Sequence, residues 1–227
     1  MRLFFAAGCP YAHRTRALLN VLERPADEVV VDLKNKSPEF LALSPTGAVP
    51  LLDDAGFVLF ESAVINEYLA EKFAWGDAFS AHLQQRARER LAMKRFDDVL
   101  APLFSASVKD AAALDAKPSW RREVEVLGQT VKDASPRSLL GLHVGPHWLR
   151  MNWLAPQATL VVAPRAAAGT FLDAAAALPS VQATAPDREV TTKARSLTDR
   201  PVASRSATTR SERSLRRRAC GSRSFTA

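Results

Sequence analysis

The sequence predicts an α/β domain with element order βαβαββα, followed by an all-helical domain. Three observations carry that expectation. Short apolar runs alternate with amphipathic stretches over the first 75 residues, turn-forming clusters separate them, and from Ala81 onward the apolar spacing is helical. A chain of 227 residues is long enough to bury one large core or two small ones.

Arg2–Ala6 reads as a short apolar strand. Residues 12–23 place Ala17, Leu18, Val21 and Leu22 on one helical stripe. Glu28–Asp32 centres on three consecutive valines, which favours a buried strand. Ser37–Leu43 reads as a short helix, with Ser37 as N-cap and Pro38 at the first helical position. After the turn Ser44-Pro45-Thr46-Gly47, Val49–Leu52 and Phe57–Phe60 form a hairpin joined by Asp53-Asp54-Ala55-Gly56. Glu61–Lys72 is a helix, with Val64, Ile65, Tyr68 and Leu69 on one face. Residues 74–80 are a connector. From Ala81, apolar positions from Leu83 to Phe104 keep near-helical spacing, with Arg and Glu on the other face. Further helices are expected over roughly 118–133 and 138–154, the latter interrupted by a kink at Gly145-Pro146. Phe171–Leu178 and Asp187–Ala194 close the pattern. The units expected are 1–75, 80–195 and a tail, 196–227.

The net charge of +7 belongs mostly to that tail, where eight arginines face only Asp199 and Glu212 and so supply +6 of it. The tail lacks apolar periodicity and is expected to be disordered, because it cannot bury enough surface to offset its ordering entropy. The nearly neutral body argues against a basic nucleic-acid domain. No run approaches the roughly 18 apolar residues of a membrane span and no signal pattern opens the chain, so a soluble cytoplasmic protein is expected. Two cysteines exclude a disulfide scaffold. Cys220, in the tail, reads as an exposed, unspecific thiol.

Chemistry concentrates at Cys9-Pro10-Tyr11-Ala12-His13-Arg14-Thr15, after the first strand and at the head of the first helix. Unpaired N–H groups and a partial positive charge at a helix N-terminus favour a thiolate. Ala12 stands where a second cysteine would close a local disulfide, so an external thiol must resolve any mixed disulfide. In Gly47-Ala48-Val49-Pro50, the proline is either an ordinary strand-initiating residue or, entering a strand in a short turn, a candidate cis bond. That geometry would free the Val49 backbone to pair a peptide-like ligand. At Glu61-Ser62 a carboxylate, a hydroxyl and free backbone N–H groups meet at a helix start, where they suit an amino-acid-like ligand or simple capping. His13 is a neighbour able to assist Cys9 or to sit as an ordinary core residue. Tyr11 is expected to pack or edge the pocket, and Arg14 to pair with a carboxylate or stay solvated. His143 and His147 have i,i+4 spacing, but no carboxylate or cysteine completes a metal set, so no metal is expected.

Taken together, the element order, Cys9-Pro10, Val49-Pro50 and Glu61-Ser62 resemble the thioredoxin-like glutathione-binding domain of cytosolic glutathione transferases. The helical half resembles their second domain. CPYAHRTRALL and Leu33-Lys34-Asn35-Lys36 are most similar to the cysteine-type, omega-like members. The resemblance implies that Cys9 is catalytic and forms a mixed disulfide with glutathione, the cosubstrate. It implies that Val49, before a cis-Pro50, pairs with the cysteinyl part, Glu61 and Ser62 hold the γ-glutamyl end, and Lys36 meets the glycyl carboxylate. It further implies thiol transfer or dehydroascorbate-type reduction, an acceptor pocket between the domains for a small electrophile or disulfide, roles in detoxification and redox chemistry, and a homodimer formed through the third helix and the long helix from Ala81. The chain departs from the family at Leu142–His147, where a Ser/Thr-x-x-Asp capping box is usual. A rival reading on the same fold is a non-catalytic binding protein similar to the starvation proteins that associate with RNA polymerase; a pure interaction module has no need of the intact Cys9, Val49-Pro50 and Glu61-Ser62 set. A nucleic-acid binder acting through the tail is a third, weaker class.

Overall fold

In a computed structural model of the chain, the described residues are 1–110, 113, 119–156, 158–159 and 166–189. The tail 196–227 with Cys220, Pro118 and most of the expected helix Asp187–Ala194 lie outside them.

A mixed sheet of order β2-β1-β3-β4 is built from β1 (Arg2–Phe5), β2 (Asp27–Val30), β3 (Leu51–Asp54) and β4 (Phe57–Phe60). β1 and β2 run parallel, whereas β1/β3 and β3/β4 are antiparallel. The parallel pair is joined through α1 (Pro10–Val21), α2 (Pro38–Leu43) lies between β2 and β3 in the chain, and α3 (Ser62–Lys72) follows β4. This is the thioredoxin-like arrangement. The two-residue period of a strand divides its side chains between two layers. Leu3 and its partner Leu52 pack with α1, α3 and the later helices, while Phe4 and Leu51 pack with Phe40 of α2 on the opposite face. Ser37 caps α2 as expected, its Oγ accepting from the Phe40 N–H at 3.2 Å.

The helical half begins with α4 (Leu83–Arg95), which passes through a π-type turn (Phe96–Leu100) into α5 (Ala101–Lys109). α6 (Trp120–Thr130) tightens into a 3₁₀ turn over Val131–Asp133. It is followed by α7 (Leu139–Leu154), α8 (Ala166–Ala176) and α9 (Pro179–Ala183). One apolar cluster joins the α1/α3 face of the sheet to these helices, through Leu18, Ile65, Phe96, Phe104, Trp120, Leu140 and Trp148.

Two expectations are corrected. The strand around the valines is not buried: β2 is an edge strand, and Val30 is 70% exposed, with only Val31 just beyond it in the core. Gly145-Pro146, where a kink is expected, lies inside α7 and does not end it. Gly145 instead makes room for a neighbour, since a Cβ there would stand 2.6 Å from the Ala175 carbonyl oxygen at the end of α8. The later helix starts at Ala166 rather than Phe171, an Ala-rich turn earlier than the apolar spacing marks.

Candidate active site

Cys9 is the N-cap of α1, in extended conformation (φ −82°, ψ 116°), with Pro10 opening the helix. Its carbonyl accepts the first helical bond, from the His13 N–H at 3.1 Å. The half-buried thiol is turned to the Val49 carbonyl, 3.7 Å from Sγ. The Val49–Pro50 bond is cis, and Val49 lies ahead of the β3 ladder, which begins at Leu51. The loop before β3 is thereby set against the head of α1.

A cavity of about 210 Å³ opens beside this contact. It is lined by Tyr11, Thr46, Val49, Pro50, Glu61 and Ser62 among others. Glu61 is exposed and has φ of 69°, a region unfavourable to a residue with a Cβ. It precedes α3 without using its carboxylate as a cap, so the acid is left available at the cavity wall. Ser62 is buried, and its Oγ accepts from Arg14 Nη1 at 3.2 Å. Because a guanidinium only donates, the Ser62 hydroxyl proton remains free to be given to a ligand. Lys36 does not line the cavity. Its Nζ packs at Gly47, 3.3 Å from where a Cβ would stand, at a position whose φ of 63° suits glycine.

Beneath the site lies a buried polar seam. Arg14, expected either to pair or to stay solvated, is wholly buried. Its Nη2 lies 2.7 Å from Asp97 Oδ1 on the π-type turn, and its Nε donates to the His143 carbonyl at 2.7 Å. Its guanidinium stacks 4.7 Å from the Tyr11 ring centroid, which fixes Tyr11 at the pocket edge. Burial alone would raise the Asp97 pKa, but His143, 3.0 Å away, and Arg14 together hold it at about 2. His13 is lowered to about 3 by burial and then by the charge of Arg150. Burial and then Arg14 lower His143 to about 4 and His147 well below its ordinary range. His13 is therefore a neutral core residue, donating from Nε2 to the Val181 carbonyl at 2.9 Å while Nδ1 accepts from Arg150. Among the described residues no group of three metal-type ligands forms. The only trace of the seam in the sequence is the 143, 147, 150 spacing, which sets His143, His147 and Arg150 on one face of α7.

Comparison with known proteins places the chain. Residues 8–72 match the model of the glutathione S-transferase N-terminal domain. A probable glutathione transferase of Aplysia californica is 39% identical over 83 residues, covering 37% of this chain and 90% of that protein. The chain belongs to the glutathione transferase family, and it is omega-like. Glutathione S-transferase omega-1 of Mus musculus is 29% identical over 55% of this chain, and the match spans about half of that relative (52%). A stringent starvation protein A homolog of Haemophilus ducreyi is 29% identical over 70% of this chain and 78% of its own length. In three dimensions the chain is similar to glutathione transferase Omega 2C from Trametes versicolor, with a TM-score of 0.72 at 18% identity over 86% of this chain and 97% of the other. The architecture is that of a glutathione transferase: a thioredoxin-like domain followed by helices. No helix among the described residues is long and apolar enough to cross a membrane.

Proposed function

We propose that the chain is a glutathione-dependent thiol transferase with Cys9 as its nucleophile. The observation that carries this reading is the Cys9 thiol held at the head of α1 against Val49, at the edge of a cavity walled by Glu61 and Ser62. The cavity chemistry fits the γ-glutamyl end of glutathione: the Glu61 carboxylate pairs the ammonium, and the Ser62 hydroxyl with the N-terminus of α3 takes the carboxylate. The Val49 backbone pairs the cysteinyl part. Lys36, placed on Gly47 beside the cavity residues Thr46 and Ala48, reaches the glycyl carboxylate from outside the wall.

In the cycle, the Cys9 thiolate attacks the glutathionyl sulfur of a mixed disulfide. The substrate S–S bond breaks, and the released thiolate takes a proton from solvent. A second glutathione, as thiolate, attacks the Cys9–glutathione disulfide and leaves as glutathione disulfide, restoring Cys9. Dehydroascorbate-type reduction is the related use of the same thiol, with two glutathiones as the reductant.

The Haemophilus relative, matched over most of its length, favours a second reading as a non-catalytic binding protein on this fold. One experiment separates the two: retention on immobilised glutathione together with turnover of a hydroxyethyl disulfide substrate. Retention with turnover that Cys9→Ala abolishes is the expected result. Neither retention nor turnover selects the binding-protein reading, and full turnover by Cys9→Ala overturns the nucleophile. Pairing of two copies through α3 and α4 belongs to the same proposal. Its support is the exposed apolar side chains of Val64 on α3 and of Leu83 and Leu91 on α4, and sedimentation measures it directly.

A further inference from the structure

Residues around Cys9 line two cavities. The second, of about 190 Å³, meets the residues flanking Cys9, Gly8 and Pro10, and is otherwise walled by α5 and α7. Phe104, Val108, Met151 and Leu154 make that wall largely apolar, but three polar residues interrupt it: Ser105, His147 and Arg150. Arg150 is only 6% exposed. Its Nη1 donates to the Pro146 carbonyl at 3.0 Å and to His13 Nδ1 at 2.9 Å, whereas Nε and Nη2 have no partner among the described residues. His147 Nδ1 accepts from Arg14 Nη2 at 3.3 Å, which puts the proton of the neutral ring on Nε2, and that atom also lacks a partner among the described residues. A buried guanidinium and a buried N–H with unmade bonds are costly; these atoms are themselves covered, and an anion entering the adjoining cavity is the partner that would draw the Arg150 head towards it and satisfy them.

We infer that this second cavity, which lies where the resemblance puts the acceptor, selects acceptors made of a small apolar body bearing one carboxylate, which the Arg150 guanidinium pairs with support from His147 Nε2–H. This rests on the reading of Cys9 as the thiol-transfer nucleophile. One buried cation among apolar walls suits a monoanion. A polyanion would press its remaining charge onto Phe104 and Val108 without a counterpart. Burial lowers the Arg150 pKa to about 10, so the group stays cationic at neutral pH, and the charge of a Cys9 thiolate acts to raise it.

The test compares two mixed disulfides of glutathione, with 4-mercaptophenylacetate and with its uncharged amide, whose leaving thiols differ little except in charge. Cys9 attacks the glutathionyl sulfur, the aromatic thiolate departs and is protonated by water, and glutathione resolves the enzyme disulfide as above. The expected kcat/KM for the acid exceeds that for the amide by about 10- to 100-fold, as a charge-assisted pair gives. R150Q brings the ratio to about one, and R150K keeps most of the preference. Binding of 4-methylphenylacetate, which has no thiol, is followed by calorimetry in the native protein and in R150Q, and is expected to be lost in the variant. Equal kcat/KM for acid and amide in the native protein overturns the acceptor class while leaving thiol transfer standing, and this arm needs no variant to fold. Turnover of neither disulfide by a protein that binds 4-methylphenylacetate through Arg150 overturns the thiol-transfer reading instead. No binding of that acid overturns the anion site itself.

Discussion

Arg14 and Asp97 show how a residue's role is set by a partner that its neighbourhood in sequence does not announce. The guanidinium is wholly buried, and its carboxylate partner lies 83 residues away, so nothing in the run around Arg14 distinguishes a buried pair from a solvated arginine. The same holds for Arg150, whose bond to His13 spans 137 residues. Cys9, Val49-Pro50 and Glu61-Ser62, by contrast, are readable because each marks the start of an element, where backbone groups are left over and particular residue types recur. Removing one member of the buried pair strands the other, so Asp97→Ala is expected to cost about 3–5 kcal/mol of stability. Arg14→Met added to it is expected to recover part of that loss, measured by urea denaturation. A double variant no more stable than Asp97→Ala would mean that the two do not act as a pair. Glu61→Gln probes the other kind of residue. The carboxylate caps nothing, so stability is expected to hold within about 0.5 kcal/mol. On the role proposed for Glu61, loss of the ammonium pair is expected to raise KM for glutathione roughly tenfold.

At the scale of elements, hydrophobic spacing locates most helices and strands, and it misreads those whose environment depends on what covers them. Three valines in a row carry the β-propensity of a buried strand, yet β2 sits at the sheet edge, where a parallel neighbour is present on one side only. In α7, Gly145-Pro146 reads locally as a kink. The helix continues through a proline that costs one backbone bond, and the absent Cβ of Gly145 admits the Ala175 carbonyl of α8. The close approach makes a sharp prediction. A methyl at Gly145 would meet backbone, which cannot swing aside as a side-chain end can. Gly145→Ala is therefore expected to destabilise by about 1–3 kcal/mol despite alanine's better helix propensity. Gly76, with no atom within 4 Å of a built Cβ, is the control and is expected to tolerate alanine. Equal thermal midpoints for the two variants would refute the packing role.

For the whole molecule, the apolar cluster and the polar seam together weld the sheet's α1/α3 face to the helical half, and the seam gives the assembly an acid limit. His13, His143 and His147 are all buried and neutral, with folded pKa values of about 3, about 4 and well below the ordinary 6.5, in each case first through burial and then through a neighbouring arginine. In the unfolded chain the three titrate near 6.5. Between there and about 4 the unfolded state holds more protons than the folded one, so stability is full above pH 6.5 and falls as the pH drops. Each histidine contributes a slope of up to about 1.4 kcal/mol per pH unit, and the three together roughly 4, against a total stability on the order of 5–15 kcal/mol. Asp97, held at about 2, acts in the same direction but only below the ordinary carboxylate range near 3.8, after most of the histidine effect is spent. The protein is therefore expected to unfold cooperatively on acidification between about pH 6 and 4, with close to three protons taken up. Unfolding free energies from urea titrations at pH 7.5, 6.5, 5.5 and 4.5 give the proton number from their slope. A stability that stays level down to pH 4.5 would show that these histidines are not buried as neutral groups. His143→Gln, which places an uncharged amide on Asp97, is expected to reduce the uptake by about one proton, separating the seam's contribution from that of His13.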